Sequence, residues 1–306
     1  MVIQNSLVGI NALSRRSFLL GVSSSAFAIA CSSQVDSTYN APIEELNYLR
    51  PGFADGFVSP STLIVGASQR APFFLYGSNG IPIVNQLPDV ISGELTFPSG
   101  ANTLIALDKY GTGIPTPYFL LEFLTSEVGL HKLSVEINKE TQSISFFFFV
   151  SSEVNLVQTG DEMRVAEIPT FNSRSGFNPL CTRFDPCPFH DITLEDALLN
   201  KRPTVLLIST PGFCQSSICG PSLELLITAV EEKPSKMNVL HAEVYTEPQK
   251  ISETSNLQNL LSPVILEYGM DFEPSLVIAD ENGIVVSRLD YTFDKIELDN
   301  ALSLIS

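Results

Sequence analysis

Arg202-Pro-Thr-Val-Leu-Leu-Ile-Ser-Thr-Pro-Gly-Phe-Cys-Gln-Ser-Ser-Ile-Cys-Gly-Pro221 is the stretch that decides the fold of the C-terminal half. Its apolar run, Thr204-Val-Leu-Leu-Ile208, has no polar alternation and reads as a strand covered on both faces. Pro211 and Gly212 turn the chain, Cys214 follows, and Pro221-Ser-Leu-Glu-Leu-Leu-Ile-Thr-Ala-Val230 reads as a helix. The N-terminal amides and positive dipole end of that helix point back at the sulfur. That field favours thiolate over thiol, and the thiolate is the nucleophile. In a continuous helix, residues spaced like Cys214 and Cys219 have Cα atoms about 8–9 Å apart, whereas a disulfide tolerates at most about 7 Å. The pair therefore bonds only if 214–219 is a loop or an unwound turn. Pro221 sits comfortably only in a first helical turn, so the helix is expected to start near Gly220.

Outward from this stretch, strands and helices alternate from about residue 188, the pattern of an α/β sheet. Thr193 with Asp196 caps a helix over Leu194–Leu199, and Val239-Leu-His-Ala-Glu-Val-Tyr245 is a strand. Ser262-Pro263 opens another helix. Leu276–Ala279 and Gly283–Leu289 form a hairpin across Asp280-Glu-Asn-Gly283, and Asp294 with Glu297 caps a last helix through Leu304. Residues 51–157 differ in texture: Ser61–Val65, Ala71–Tyr76, Thr103–Leu107, His131–Ile137 and Ser143–Val150 are short β-rich runs separated by turn signals. Leu133, Val135 and Ile137 alternate with polar neighbours, which gives that strand one buried face. The expectation is an all-β, immunoglobulin-like sandwich, with His131 at the sheet surface and Phe146–Phe149 in packing roles. Residues 158–187, with Pro, Gly and two cysteines, read as a linker, and residues 188–306 as the second domain.

The N-terminus indicates a compartment. Residues 1–31 read as a signal peptide: Arg15-Arg16 before Phe-Leu-Leu, then a short apolar region to Ala30. The region is too short for a stable bilayer span. The arginine pair resembles a twin-arginine export signal, and Ala28-Ile-Ala-Cys31 resembles a lipobox, with Cys31 as the lipidated residue. Residues 32–50 read as a tether, so the protein is expected in the cell envelope, attached to the membrane through an N-terminal lipid. The remaining stretch of about 275 residues suits two domains. A net charge of −17 excludes the basic face that nucleic acid requires.

Residues 188–306, about 40% of the chain, resemble the exported thioredoxin-like proteins. Arg202–Cys214 looks like that family's central strand leading to its nucleophilic cysteine. Tyr268-Gly-Met-Asp-Phe-Glu-Pro-Ser-Leu-Val-Ile-Ala-Asp-Glu-Asn-Gly283 looks like its cis-proline segment and hairpin. The resemblance implies a thioredoxin-like fold, Cys214 and Cys219 as catalytic residues, and a substrate groove shaped by Pro274, Glu273 and Phe213, with Pro274 in the cis state. It also implies protein thiols and disulfides, or an exported reductase, as partners. The chain departs from the family in spacing, with four residues between its cysteines rather than two. Phe213 stands where thioredoxins carry Trp, and Ile208 where they place a buried acid. Cys219-Gly-Pro-Ser222 offers a second register, in which Cys219 is the nucleophile. The same spacing resembles atypical (Q-type) peroxiredoxins, but the arginine those enzymes need maps onto Pro274, and Arg288 lies on a later strand.

Cys181 and Cys187 fall in Pro179-Leu-Cys-Thr-Arg-Phe-Asp-Pro-Cys-Pro-Phe-His190, and in an exported chain such a pair reads as a local structural disulfide. Metal binding by Cys181, Cys187 and His190, alone or together with Cys214 and Cys219, is the alternative. With His241 read as a mid-strand residue, no metal or other cofactor is expected. Three functions remain open: a thiol–disulfide oxidoreductase, a non-catalytic lipoprotein module stapled by two disulfides, and a thiol peroxidase.

Overall fold

A computed structural model describes residues 47–53, 62–214, 218–232 and 236–306. The leader, Cys31 and nearly all of the expected tether lie outside the described residues. None of the described helices is long and apolar enough to cross a membrane.

The N-terminal half is built from β1 (Tyr48–Pro51), β2 (Gln69–Tyr76), β3 (Val90–Thr96), β4 (Asn102–Tyr110), β5 (Tyr118–Phe123), β6 (Gly129–Ile137) and β7 (Glu140–Phe148). They form one antiparallel sheet in the order β1-β2-β5-β4-β3-β6-β7. The strands β1, β2, β5, β4 and then β3, β6, β7 follow the two-sheet order of an immunoglobulin-type sandwich, here joined through β3 and β4. Its edges approach each other, because the Gln142 side chain on β7 accepts from Leu49 N and donates to Asn47 O. Phe73, Leu95, Leu107, Phe119, Leu133 and Phe146 fill the interior. Period-two alternation places His131, Leu133, Val135 and Ile137 together on the buried face of β6. His131 is therefore not at the surface: it is fully buried, stacked on Phe146 and against Phe148. The described part of the expected strand Ser61–Val65, from Thr62 on, differs as well, since Ile64 makes only an isolated bridge to Phe149.

The C-terminal half contains α1 (Leu194–Leu199), β8 (Thr204–Ile208), α2 (Cys219–Glu232), β9 (Asn238–Ala242), α3 (Pro263–Tyr268), β10 (Ser275–Ala279), β11 (Val285–Asp290) and α4 (Lys295–Ser303). The sheet order is β11-β10-β8-β9; β8 runs parallel to β9 and antiparallel to β10. All five residues of β8 are buried because both faces are covered. Val205 and Leu207 pack with α2 and α4, while Leu206 and Ile208 pack towards α3.

The segment expected to link the domains is instead part of the second core. Val157, Met163 and Ile168 pack with Leu206 and Tyr268, Gly160 N and Met163 N donate to Val285 O and Gly283 O, and Val285 N donates to Asp161 O. Glu44–Ser306 form one unit, sewn together at α4. Asp294 caps that helix and also accepts from Gly111 N and Thr112 N, both at 2.9 Å, from the β4–β5 loop. Glu297 pairs with Arg70 at 2.7 Å and accepts from the Tyr118 hydroxyl.

Candidate functional site

The end of β8, the start of α2 and the start of β10 converge. Cys214 follows the turn after β8 and is half-buried, whereas Cys219 is the first residue of α2 and fully buried. They form a disulfide with Cα atoms 6.0 Å apart, within disulfide reach. The helix starts one residue before the expected Gly220, so Cys219 opens it and Cys214 lies outside it. The carboxylate of Glu273 lies within 4.8 Å of both sulfurs. It accepts from Thr210 N at 2.7 Å, which ties the start of β10 to the cysteine turn. Burial pushes this carboxyl up to about 7, against the downward pull of the Thr210 amide. A group with that value gives and takes protons near neutral pH.

Glu273–Pro274 is a cis bond, and Pro274 is buried. Its carbonyl accepts from Tyr291 N at 2.8 Å. A proline has no N–H to donate, so Pro274 brings no backbone donor to the site. The Phe213 ring is 44% exposed beside Cys214, an apolar surface at the site's mouth. Arg288 is bound to Asp290 at 2.7 Å on its own strand and to the Val157 carbonyl, and is thereby committed away from the cysteine pair.

Cys181 and Cys187 do not form the expected bridge. Both are free thiols, buried, and their sulfurs face histidines. Cys187 Sγ lies 3.3 Å from His190 Nε2 and 3.4 Å from His241 Nδ1, and Cys181 Sγ lies 3.6 Å from the same His241 nitrogen. Hydrogen bonding from Cys187, then from the two imidazoles, holds Cys181 well below the ordinary thiol range, while the shared hydrogen bond and burial push Cys187 up. The signal for His241 was present in its strand. Alternation along β9 puts Leu240 and Ala242 on the Leu206 side and leaves His241 facing the Cys181–Cys187 side.

Thr182 joins the two clusters. Thr182, next to Cys181, donates through its amide and hydroxyl to buried Glu243 at 2.6 and 3.0 Å. Its hydroxyl also accepts from Gly212 N at 2.9 Å. A Cβ on Gly212 would meet the Thr182 carbonyl at 2.7 Å, so only glycine lets the cysteine loop and the Cys214 turn approach this closely.

No family model matches the chain, and no curated protein matches it either. Solved structures similar to parts of it include the crystal structure of the Lin-41 filamin domain. That structure shares 13% identity, covering 34% of this chain and 91% of that one at a TM-score of 0.23. A score so low supports no argument about fold or activity.

Proposed function

We propose that this protein is a thiol–disulfide oxidoreductase whose C-terminal half is thioredoxin-like, with Cys214 as the exchanging sulfur and Cys219 as the resolving one. The observation that carries the reading is the bonded Cys214–Cys219 pair at the strand–helix junction, with Glu273 against both sulfurs and Pro274 cis beside it. The order of elements supports it too: central strand, cysteine turn, helix, parallel strand, proline-led antiparallel strand, hairpin and helix. Exposure favours Cys214 over Cys219 as the sulfur an outside thiol reaches.

In the reduced protein, the Cys214 thiolate attacks one sulfur of a substrate disulfide and expels the other as a thiolate. Cys219 then loses its proton to the Glu273 carboxylate and attacks Cys214 Sγ. The bond to the substrate breaks, the second substrate sulfur leaves as a thiolate, and the Cys214–Cys219 disulfide holds the two-electron oxidation. A dithiol of an exported reductase reverses the sequence, with protonated Glu273 returning its proton to Cys219. The peroxidase alternative lacks support, since Arg288 is occupied by Asp290 and Val157.

Cys219→Ser is expected to accumulate mixed disulfides through Cys214, and Cys214→Ser to accumulate none. Equilibration with glutathione is expected to give a potential in the working range, roughly −300 to −120 mV. A potential well below about −300 mV, with no trapping in either variant, would identify a structural bridge and a non-catalytic module. The leader places this chemistry, in the same proposal, in the cell envelope on a lipid-modified Cys31. Cys31→Ser is expected to move the exported protein from the membrane pellet to the soluble fraction, and an unchanged distribution contradicts the anchor.

A further inference from the structure

We infer that Cys181, Cys187, His190 and His241 form a closed, structural zinc site. Their four ligand atoms lie within 4.8 Å of one another and all four residues are buried. The sulfur–nitrogen separations of 3.3, 3.4 and 3.6 Å match the edge of a tetrahedron with zinc at its centre. Bonds of about 2.3 Å to sulfur and about 2.05 Å to nitrogen give an S···N edge of about 3.6 Å. Pairwise hydrogen bonding explains the arrangement less well. One nitrogen, His241 Nδ1, faces two sulfurs, and one sulfur, Cys187 Sγ, faces two nitrogens. Atoms that each serve two partners at similar distances are converging on a common point.

The outer contacts of both imidazoles prepare them as ligands. His190 Nδ1 lies 3.1 Å from the Pro169 carbonyl, and His241 Nε2 lies 3.1 Å from the Ser209 carbonyl. A carbonyl only accepts, so each outer nitrogen carries the ring proton and each inner nitrogen turns its lone pair towards the sulfurs. This is the orienting contact that metal-bound histidines characteristically make. Two thiolates, two neutral imidazoles and a divalent ion sum to zero charge, which removes the cost of burying bare thiolates. Two sulfurs and two nitrogens at tetrahedral spacing select zinc among the common divalent ions. With all four positions filled by protein there is no opening for a substrate, so the role is structural.

This site is independent of the exchange chemistry, but it adjoins it. It fixes the 181–190 loop to β9, and Thr182 carries that rigidity to Gly212 and the Cys214 turn. It also keeps two neighbouring thiols out of disulfide exchange.

Cobalt(II) titration of the full chain carrying Cys31→Ser tests the site, after chelator treatment and with Cys214–Cys219 left oxidised so that only the thiols of Cys181 and Cys187 are available. The expected result is saturation at one equivalent, with thiolate-to-cobalt charge-transfer bands and the intense visible bands of tetrahedral cobalt, both removed by zinc. Cys214→Ser/Cys219→Ser should bind unchanged, and Cys187→Ser should bind at least tenfold more weakly. Because Cys187→Ser can fail to fold, His241→Cys provides a second arm: it should keep one-to-one binding and show stronger thiolate charge transfer. A weak octahedral spectrum, no saturation, copper rather than zinc in the isolated protein, or a peptide map joining Cys181 to Cys187 would each overturn the assignment.

Discussion

Glu273 carries an acid into a site where Ile208 supplies none. Its carboxyl sits against both sulfurs, and burial raises it to about 7. The native state thus holds a proton that the unfolded chain, with an ordinary glutamate near 4.3, has already given up. Stability from this group is fully present below about pH 4.3, declines as pH rises through about 7, and is flat above that. Glu273→Gln should flatten that slope, on the order of 3 kcal/mol between pH 4 and 8, as measured by denaturant unfolding of the oxidised protein at a series of pH values. The same variant should remove the inflection near pH 7 from the resolving step in stopped-flow exchange. An unaltered inflection would assign the proton transfer to another group. Cys214 and Cys219 were legible because strand, turn and helix signals are contiguous there, whereas Pro274 was read only from the family resemblance. The place of the Glu273 carboxyl against the sulfurs was not legible, because it depends on a sheet neighbour: Ser275, two residues on, pairs with Ile208. Cys181 and Cys187 were misread for a similar reason. Their partner His241 is 54 residues beyond Cys187, and a local count of cysteines cannot see it.

At the scale of elements, caps were the most readable feature. Thr193 Oγ1 accepts from Asp196 N, Asp294 Oδ1 accepts from Ile296 N and Glu297 N, and Pro263 opens α3, each as the sequence signals require. Strands without alternation were less legible. Val90–Thr96 is interrupted by Gly93, where a Cβ would meet Ser134 O at 2.8 Å, so the residue that weakens the strand pattern is the one that lets β3 and β6 pair. Asp294 also does what no local motif encodes, since its other oxygen holds Gly111 N and Thr112 N. Asp294→Ala should therefore cost more than a cap. The cap is worth about 1 kcal/mol, and two stranded amides add about 1 kcal/mol each. Thr193→Ala, an exposed cap whose hydroxyl bonds only Asp196 in its own first turn, should cost only about 0.5–1 kcal/mol. Denaturation midpoints of the two variants check the difference, and equal losses would mean that the β4–β5 loop does not need Asp294.

For the whole molecule, the question is whether two halves with separate sheets unfold as one. Composition and length suggest two domains, and the structure holds two separate sheets within the single unit Glu44–Ser306. The intervening segment is instead packed into the second core, because its apolar residues are too widely spaced among prolines and polar residues to show a period. Arg70 and Glu297 join the halves with side chains only 9% and 8% exposed. Near the Cys214–Cys219 disulfide, Ile218 packs against an aromatic cluster of Phe74 and Tyr118 from the N-terminal half. The β-sheet thus buttresses the residue before Cys219, which gives the N-terminal half a role in holding α2. Arg70→Met leaves Glu297 buried without its cation and should cost about 3–5 kcal/mol. Because that loss falls on the contact between halves, the single unfolding transition should split in calorimetry, with the β-sheet and the α/β half melting separately. Replacing both partners, Arg70→Met with Glu297→Leu, removes the uncompensated charge and should recover most of the lost stability. The Tyr118 hydroxyl would still need a partner. One cooperative transition in Arg70→Met, at unchanged temperature, would mean that the halves are held by the Asp294 contacts and apolar packing alone.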